Sequence, residues 1–195
     1  MEFIFATHNR HKAEEIRAVL DEKIKIITLD EAGISTEIPE PFETLHENAS
    51  AKSGFIFQAT GRNCFSEDTG LEVDALGGAP GVHSARYAGE GREFDENMDK
   101  LLLELGEKTD RTARFRTVIS LILDGNEYFF EGVCGGRIGT EKKGKGGFGY
   151  DPIFYPGDFD KTFAQMDISE KSLLSHRGIA VGKLVTFLNN LITNR

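Results

Sequence analysis

Glu67 and Asp68 stand side by side, followed by Thr69 and Gly70. Two neighbouring carboxylates suit Mg²⁺, which takes one or two such ligands and completes its shell with water and phosphate oxygens. One of the pair can also accept a proton from an attacking water, and Gly70 permits a sharp turn beside them. A third carboxylate, Glu40, lies between Pro39 and Pro41. Taken alone, these residues read equally well as a solvated acidic turn and an exposed loop.

Three further stretches carry polar groups at suggestive spacings. Thr7-His8-Asn9-Arg10-His11-Lys12 joins an apolar run to a helical pattern. A helix start offers backbone N–H groups and the positive end of the dipole to a phosphate, and Lys12 adds a point charge from the first turn. Thr7 or Asn9 would serve as well as a plain helix cap. Around Gly144 to Pro152, Gly144, Gly146 and Gly149 match a dinucleotide-binding spacing, but Pro152 and Pro156 exclude the helix that motif must open. Gly139 to Lys145 matches most of a P-loop, yet Gly146 stands where Ser or Thr must hold the metal. What remains is a loop in which Phe148, Gly149, Tyr150 and Asp151 form a platform for stacking and hydrogen-bonding a purine, or a connection that buries Phe148. Finally, Lys171, His176 and Arg177 flank the start of the last helix, where they can donate to an anion or a carbonyl or simply be solvated.

The elements that must position these residues follow from periodicity. Glu2 to Ala6 reads as a buried strand, and Ala13, Ile16, Val19 and Leu20 share one helical face. Ile24 to Thr28 is a second strand, about Thr44 to Thr60 a helix, and Asn63 to Ser66 a strand with the acidic pair at its end. Met98, Leu101, Leu102 and Leu105 mark a helix over Glu96 to Leu105. Thr112 to Leu123 alternates, turns at Asp124-Gly125 and returns over Glu127 to Val133, a long antiparallel hairpin. Gly135 to Gly149 should break regular structure, and a last helix runs from about Ser175 to Leu191. Together they predict an α/β fold: one domain over 1–195, a mixed sheet with helices around it, and two lobes flanking a central cleft.

Composition bounds the partners. The 195 residues suffice for one domain with a real core, and 39% hydrophobic with 28% charged residues is ordinary for a globular chain. A net charge of −9 disfavours nucleic acid and membrane surfaces, although a small phosphorylated ligand needs only a local cluster of donors and a cation. No apolar run approaches the ~20 residues of a membrane span. The first residues lack a secretory pattern, and the two cysteines, Cys64 and Cys134, make no disulfide framework. These features point to the cytoplasm.

Taken jointly, several blocks resemble the inosine triphosphate pyrophosphatase family, which acts on non-standard purine nucleotides. They are Thr7-x-Asn9-x-x-Lys12, Glu67-Asp68-Thr69-Gly70, Leu76 to Gly81, Ser84-Ala85-Arg86-Tyr87, Gly146 to Pro152 and Ser175-His176-Arg177. The resemblance covers nearly the whole chain, with His8 where many relatives have Gly and Glu67 where many bacterial ones have Asp. It implies a homodimer that converts the triphosphates of inosine, deoxyinosine and xanthosine to monophosphate and pyrophosphate with Mg²⁺. By the same resemblance Asp68 is the catalytic carboxylate and a metal ligand, with Glu67 and Glu40 completing the metal site. Thr7 to Lys12 hold the triphosphate and Thr69 touches the substrate. Phe148 to Asp151, Lys171, His176 and Arg177 form the base pocket. A nucleotide sensor without catalysis would need no paired carboxylates. A hydrolase of another nucleotide class would keep them.

Overall fold

The computed structural model describes residues 1–20 and 22–193. Its strands are β1 (Glu2–Phe5), β2 (Lys25–Thr28), β3 (Cys64–Val73), β4 (Pro80–Gly81), β5 (Thr112–Leu123), β6 (Asn126–Ile138) and β7 (Phe154–Pro156). Its α-helices are α1 (Arg10–Arg17), α2 (Leu45–Thr60), α3 (Phe94–Leu105), α4 (Ile168–Leu174) and α5 (His176–Thr193). The sheet runs β2-β1-β3-β5-β6-β7, with β4 paired to β3. β1 is parallel to both β2 and β3, while β4 is antiparallel to β3 and β7 to β6. The mixed α/β sheet and its long hairpin are therefore as expected. The two-residue turn of the hairpin, Asp124-Gly125, has φ values of 51° and 80°, the positive pair that a type I′ turn demands.

The chain forms two compact units. The first comprises 1–68, 117–132 and 177–195, the second 69–116 and 133–176. In the first, both faces of the strands are covered. Phe3, Phe5, Phe65, Ile119 and Leu121 pack with Ala13 and Ile16 of α1 and Val181, Leu184 and Leu188 of α5, while Ile4, Cys64 and Ile122 pack with Ile56 of α2. Burial on both sides means that the alternation expected along β5 holds only for its first half, while every residue from Thr117 to Leu123 is buried. In the second unit, Leu71, Val73, Phe115, Cys134 and Phe154 pack with Met98, Leu101 and Leu105 of α3.

Two strands outrun the sequence reading. β3 continues through the acidic pair to Val73, because Leu71 and Glu72 pair with Gly81 and Pro80, a contact between segments that local propensity does not encode. Glu67 and Asp68 thus sit inside a strand and not at its end. β6 likewise runs on through Gly135 and Gly136. A side chain at Gly136 would place Cβ only 2.1 Å from the Tyr155 carbonyl, so the residue that looked like a breaker is what lets β7 approach. At Gly70 a Cβ would fall 2.6 Å from the Gly81 carbonyl oxygen. Gly70→Ala should therefore cost about 1–3 kcal/mol through overpacking, lowering Tm by roughly 2–4 °C per kcal/mol in a chain of this size. Calorimetry showing an unchanged Tm would mean that β4 yields without strain.

Candidate functional site

Helix α2 carries polar residues on the face it buries. Thr44 caps it by accepting from the Glu47 amide at 3.2 Å, and Gly61 ends it at φ 65°. On its buried side Leu45, Ala49 and Ile56 alternate with Asn48, Lys52 and Ser53. Lys52 reaches the middle of β3, where its ammonium donates to the Glu67 carbonyl at 2.7 Å, to Glu40 Oε1 at 2.5 Å and to Asp68 Oδ1 at 3.3 Å. Burial pulls this ammonium down, but Asp68 and Glu40 more than offset it and its pKa is raised. For Asp68 burial dominates and raises the pKa against the opposing pull of Lys52, with Glu40 adding to the rise. Its second oxygen, Oδ2, is buried and has no hydrogen-bond partner. Such an atom calls for a donor or a cation.

Glu67 meets the opposite environment. Its carboxylate takes the Arg177 guanidinium through Nε at 2.8 Å and Nη2 at 2.9 Å, and the Lys12 ammonium at 2.9 Å. Burial pushes its pKa up, yet Arg177 and Lys12 outweigh it and hold the carboxyl well below the usual range. Arg177 also donates to Glu15 through Nη1. Within this set the carboxylates of Glu15, Glu40, Glu67 and Asp68 face the cations Lys12, Lys52 and Arg177, which leaves negative charge in excess beside Asp68 Oδ2. A divalent ion fits that balance. Among the described residues no three His, Cys, Asp or Glu side chains form a ready cage, and a magnesium site that relies on one or two carboxylates and phosphate oxygens does not need one.

The turn from β1 into α1 supplies Lys12. Asn9 caps the helix by accepting from the Lys12 amide at 3.2 Å, and Thr7 Oγ1 accepts from the Asn9 amide at 3.1 Å. Of the two residues that could cap the helix, Asn9 does so, while Thr7 fastens the turn before it. His8 turns to Asp30 at 2.6 Å, a contact that raises its pKa. Arg10 and His11 are exposed on the first turn, and Thr69 is half-buried in β3.

The second unit gathers the loop residues. Asp151 Oδ2 accepts from the Phe148 amide at 2.8 Å and from the buried Lys171 ammonium at 2.6 Å. Lys171 lies 5.2 Å from the Phe148 ring centre. It is carried by α4, which Asp167 caps at the Glu170 amide. The loop is fastened by the Gly146 amide on the Ala164 carbonyl at 3.0 Å and by the Tyr150 hydroxyl on the Ser84 carbonyl at 2.8 Å. His176 is buried and stacks on Phe115, ring centres 4.5 Å apart. Although adjacent to it in sequence, Arg177 belongs to the first unit, and its guanidinium is directed at carboxylates there. A surface pocket lined in part by Arg111, Arg137 and Lys143 contains none of these residues; Arg111 spends its donors on the Gly106, Ile138 and Gly139 carbonyls.

The sequence reading missed Lys52 and Glu15. The signal for Lys52 was present: a lysine four residues from both Asn48 and Ile56 on an apolar helix face must find an anion when buried.

The model of the Ham1 family matches residues 3–187. The chain belongs to the Ham1 family. It is 47% identical over 189 residues, 97% of its length and 100% of the relative's, to a dITP/XTP pyrophosphatase of Christiangramia forsetii. It is 50% identical over 186 residues to one of Porphyromonas gingivalis, covering 95% of this chain and 96% of that one. The structure of the Staphylococcus aureus Ham1 protein is similar at a TM-score of 0.87 and 39% identity, over 97% of this chain and 99% of that one.

In this Ham1 family member the close contact at Gly147 is a sharp constraint. A Cβ there would fall 2.0 Å from Asp151 Oδ2, and φ is +68°. Gly149 has φ +62° but open space around it. Gly147→Ala should displace Asp151 from Lys171 and lower Tm well beyond Gly149→Ala, which carries only the left-handed strain of about 1–2 kcal/mol. Equal losses in thermal unfolding would show that the Gly147 contact relaxes freely.

Proposed function

We propose that this chain hydrolyses non-standard purine nucleoside triphosphates, those of inosine, deoxyinosine and xanthosine, to the monophosphate and pyrophosphate, and so clears them from the nucleotide pool. The observation that carries the reading is Asp68, a buried carboxylate with one oxygen lacking a partner, in a chain 47% identical over its length to a dITP/XTP pyrophosphatase. Asp68 and Glu40 would hold magnesium, which when bound screens the triphosphate and acidifies water. Asp68 then takes the proton of the water that attacks the α-phosphorus. Burial raises its pKa above the ordinary aspartate range against the pull of Lys52. Lys52 keeps Asp68 and Glu40 together, and Lys12 with the Thr7 to His11 turn binds the phosphates.

A separate set of residues would hold the base. Phe148 offers a stacking face, Gly149 and Tyr150 shape the loop, and Thr69 contacts the substrate. Lys171, a donor only, and His176 match the carbonyl at purine position 6 of inosine and xanthosine, where adenine would set donor against donor. A homodimer, implied by the resemblance, and a place in the cytoplasm, to which the first residues and the cysteine usage point, complete the reading. No helix among the described residues is long and apolar enough to cross a membrane.

Asp68→Asn keeps shape and removes charge. It should cut turnover of inosine triphosphate by at least the ~10²- to 10⁴-fold typical of a lost general base while circular dichroism shows the fold intact; normal turnover would remove Asp68 from the mechanism. Phosphorus NMR of the wild-type reaction should show pyrophosphate as the first product. Orthophosphate with nucleoside diphosphate would mean attack at the γ-phosphorus. A turnover panel of purine and pyrimidine triphosphates with Mg²⁺ separates this reading from a sensor, which would turn over none, and from a hydrolase of another nucleotide class.

A further inference from the structure

We propose that Glu67 is a positioning carboxylate and not a metal ligand: it fixes the Lys12 ammonium for the triphosphate, and Arg177 fixes Glu67 in turn. This rests on the reading above, in which Lys12 meets phosphate and Asp68 meets the metal. The sequence treats Glu67 and Asp68 as an equivalent pair, but their surroundings separate them. Glu67 Oε1 faces Lys12 Nζ at 2.9 Å and Arg177 Nη2 at 2.9 Å, and Oε2 faces Arg177 Nε at 2.8 Å. An ionised carboxylate has about four acceptor positions, and charge-assisted bonds fill three of them. A divalent ion on Glu67 would sit against two positive groups already within contact distance. Asp68 takes a hydrogen bond from one ammonium, Lys52, which it shares with Glu40, and has an oxygen with no partner.

Arg177 is equipped for anchoring. It is 2% exposed, and Nε, Nη1 and Nη2 all point at carboxylates, two at Glu67 and one at Glu15. Only a planar fork can bind one carboxylate through two nitrogens and a second through the third; a lysine is a point charge. Lys12 is different, because its side chain remains 19% exposed. Tethered by Glu67 at the edge of the first turn of α1, its ammonium is held in one place before any phosphate arrives. That is preorganisation of a long, flexible side chain. The use of Arg177 is thereby moved from reading the base to holding Glu67.

The test compares Glu67→Gln and Arg177→Lys with wild type and with Asp68→Asn. For Glu67→Gln the KM for inosine triphosphate should rise roughly 10- to 100-fold, the worth of one charge-assisted hydrogen bond, with a smaller change in kcat. Mn²⁺ affinity should be unchanged when measured by electron paramagnetic resonance with the non-hydrolysable α,β-imido analogue of inosine triphosphate present. In a Lys12→Met background Glu67→Gln should add no further rise in KM. Arg177→Lys should raise KM for inosine and adenosine triphosphates in the same proportion. Weakened Mn²⁺ binding in Glu67→Gln, or an Arg177→Lys loss confined to inosine triphosphate, would overturn the proposal. If Glu67→Gln does not fold, Glu67→Asp keeps the charge but withdraws it by one methylene, and the same KM rise with intact Mn²⁺ binding is expected. Normal turnover by Asp68→Asn would defeat the underlying reading whatever Glu67 does.

Discussion

A lysine ammonium buried inside a protein must be met by oxygen, and the placement of Lys52 governs the chemistry of the first unit. Its three close partners are a backbone carbonyl of β3 and two carboxylates from different segments. Taking that ion out of water would cost several kcal/mol without them. The bond to the Glu67 carbonyl locks α2 onto the strand at the acidic pair. The bond to Glu40 ties down a loop that carries prolines on both sides and little other regular structure. Remove the ammonium, and Asp68 and Glu40 face each other as like charges in a desolvated space.

From that point the two neighbours on β3 part company. Successive side chains on a strand point to opposite faces, so the carboxylates of Glu67 and Asp68 take different hydrogen-bond partners. Glu67 is directed to the side where α1 and α5 bring Lys12 and Arg177, while Asp68 is directed to the side where α2 brings Lys52. One carboxylate is saturated with positive charge, and the other keeps an oxygen without a partner. The pKa directions follow: Glu67 is pushed down and Asp68 up. Carboxylates at adjacent positions thus acquire different properties because the strand turns them toward different partners.

The second unit uses glycine in the way the first uses charge. Gly144 and Gly147 have positive φ and no room for a Cβ, the first against the Ala164 backbone and the second against Asp151. A stretch whose composition looks flexible is held by close backbone contact. This fixing lets one carboxylate oxygen of Asp151 serve both the Phe148 amide and the Lys171 ammonium, and so sets the aromatic ring and the cation relative to each other.

The sequence by itself determined most of the element order. Helical and strand periodicities, the Asp124-Gly125 turn and the caps at Asn9 and Thr44 are local properties, and apart from β3 and β6, which run on, the elements they predict lie within a few residues of where those patterns put them, while β4, β7 and α4 left no such pattern. It also singled out the blocks proposed to carry the chemistry, because residue type and order survive without coordinates. What only the tertiary structure decided was who meets whom. β3 runs through the acidic pair because β4 folds back on it. Lys52 reaches Asp68, 16 positions away in sequence. Arg177 reaches Glu67 across 110. The physical reason is that periodicity reports which face of an element is buried, whereas the charge state of a buried group depends on partners brought in from distant segments, and no local pattern records them.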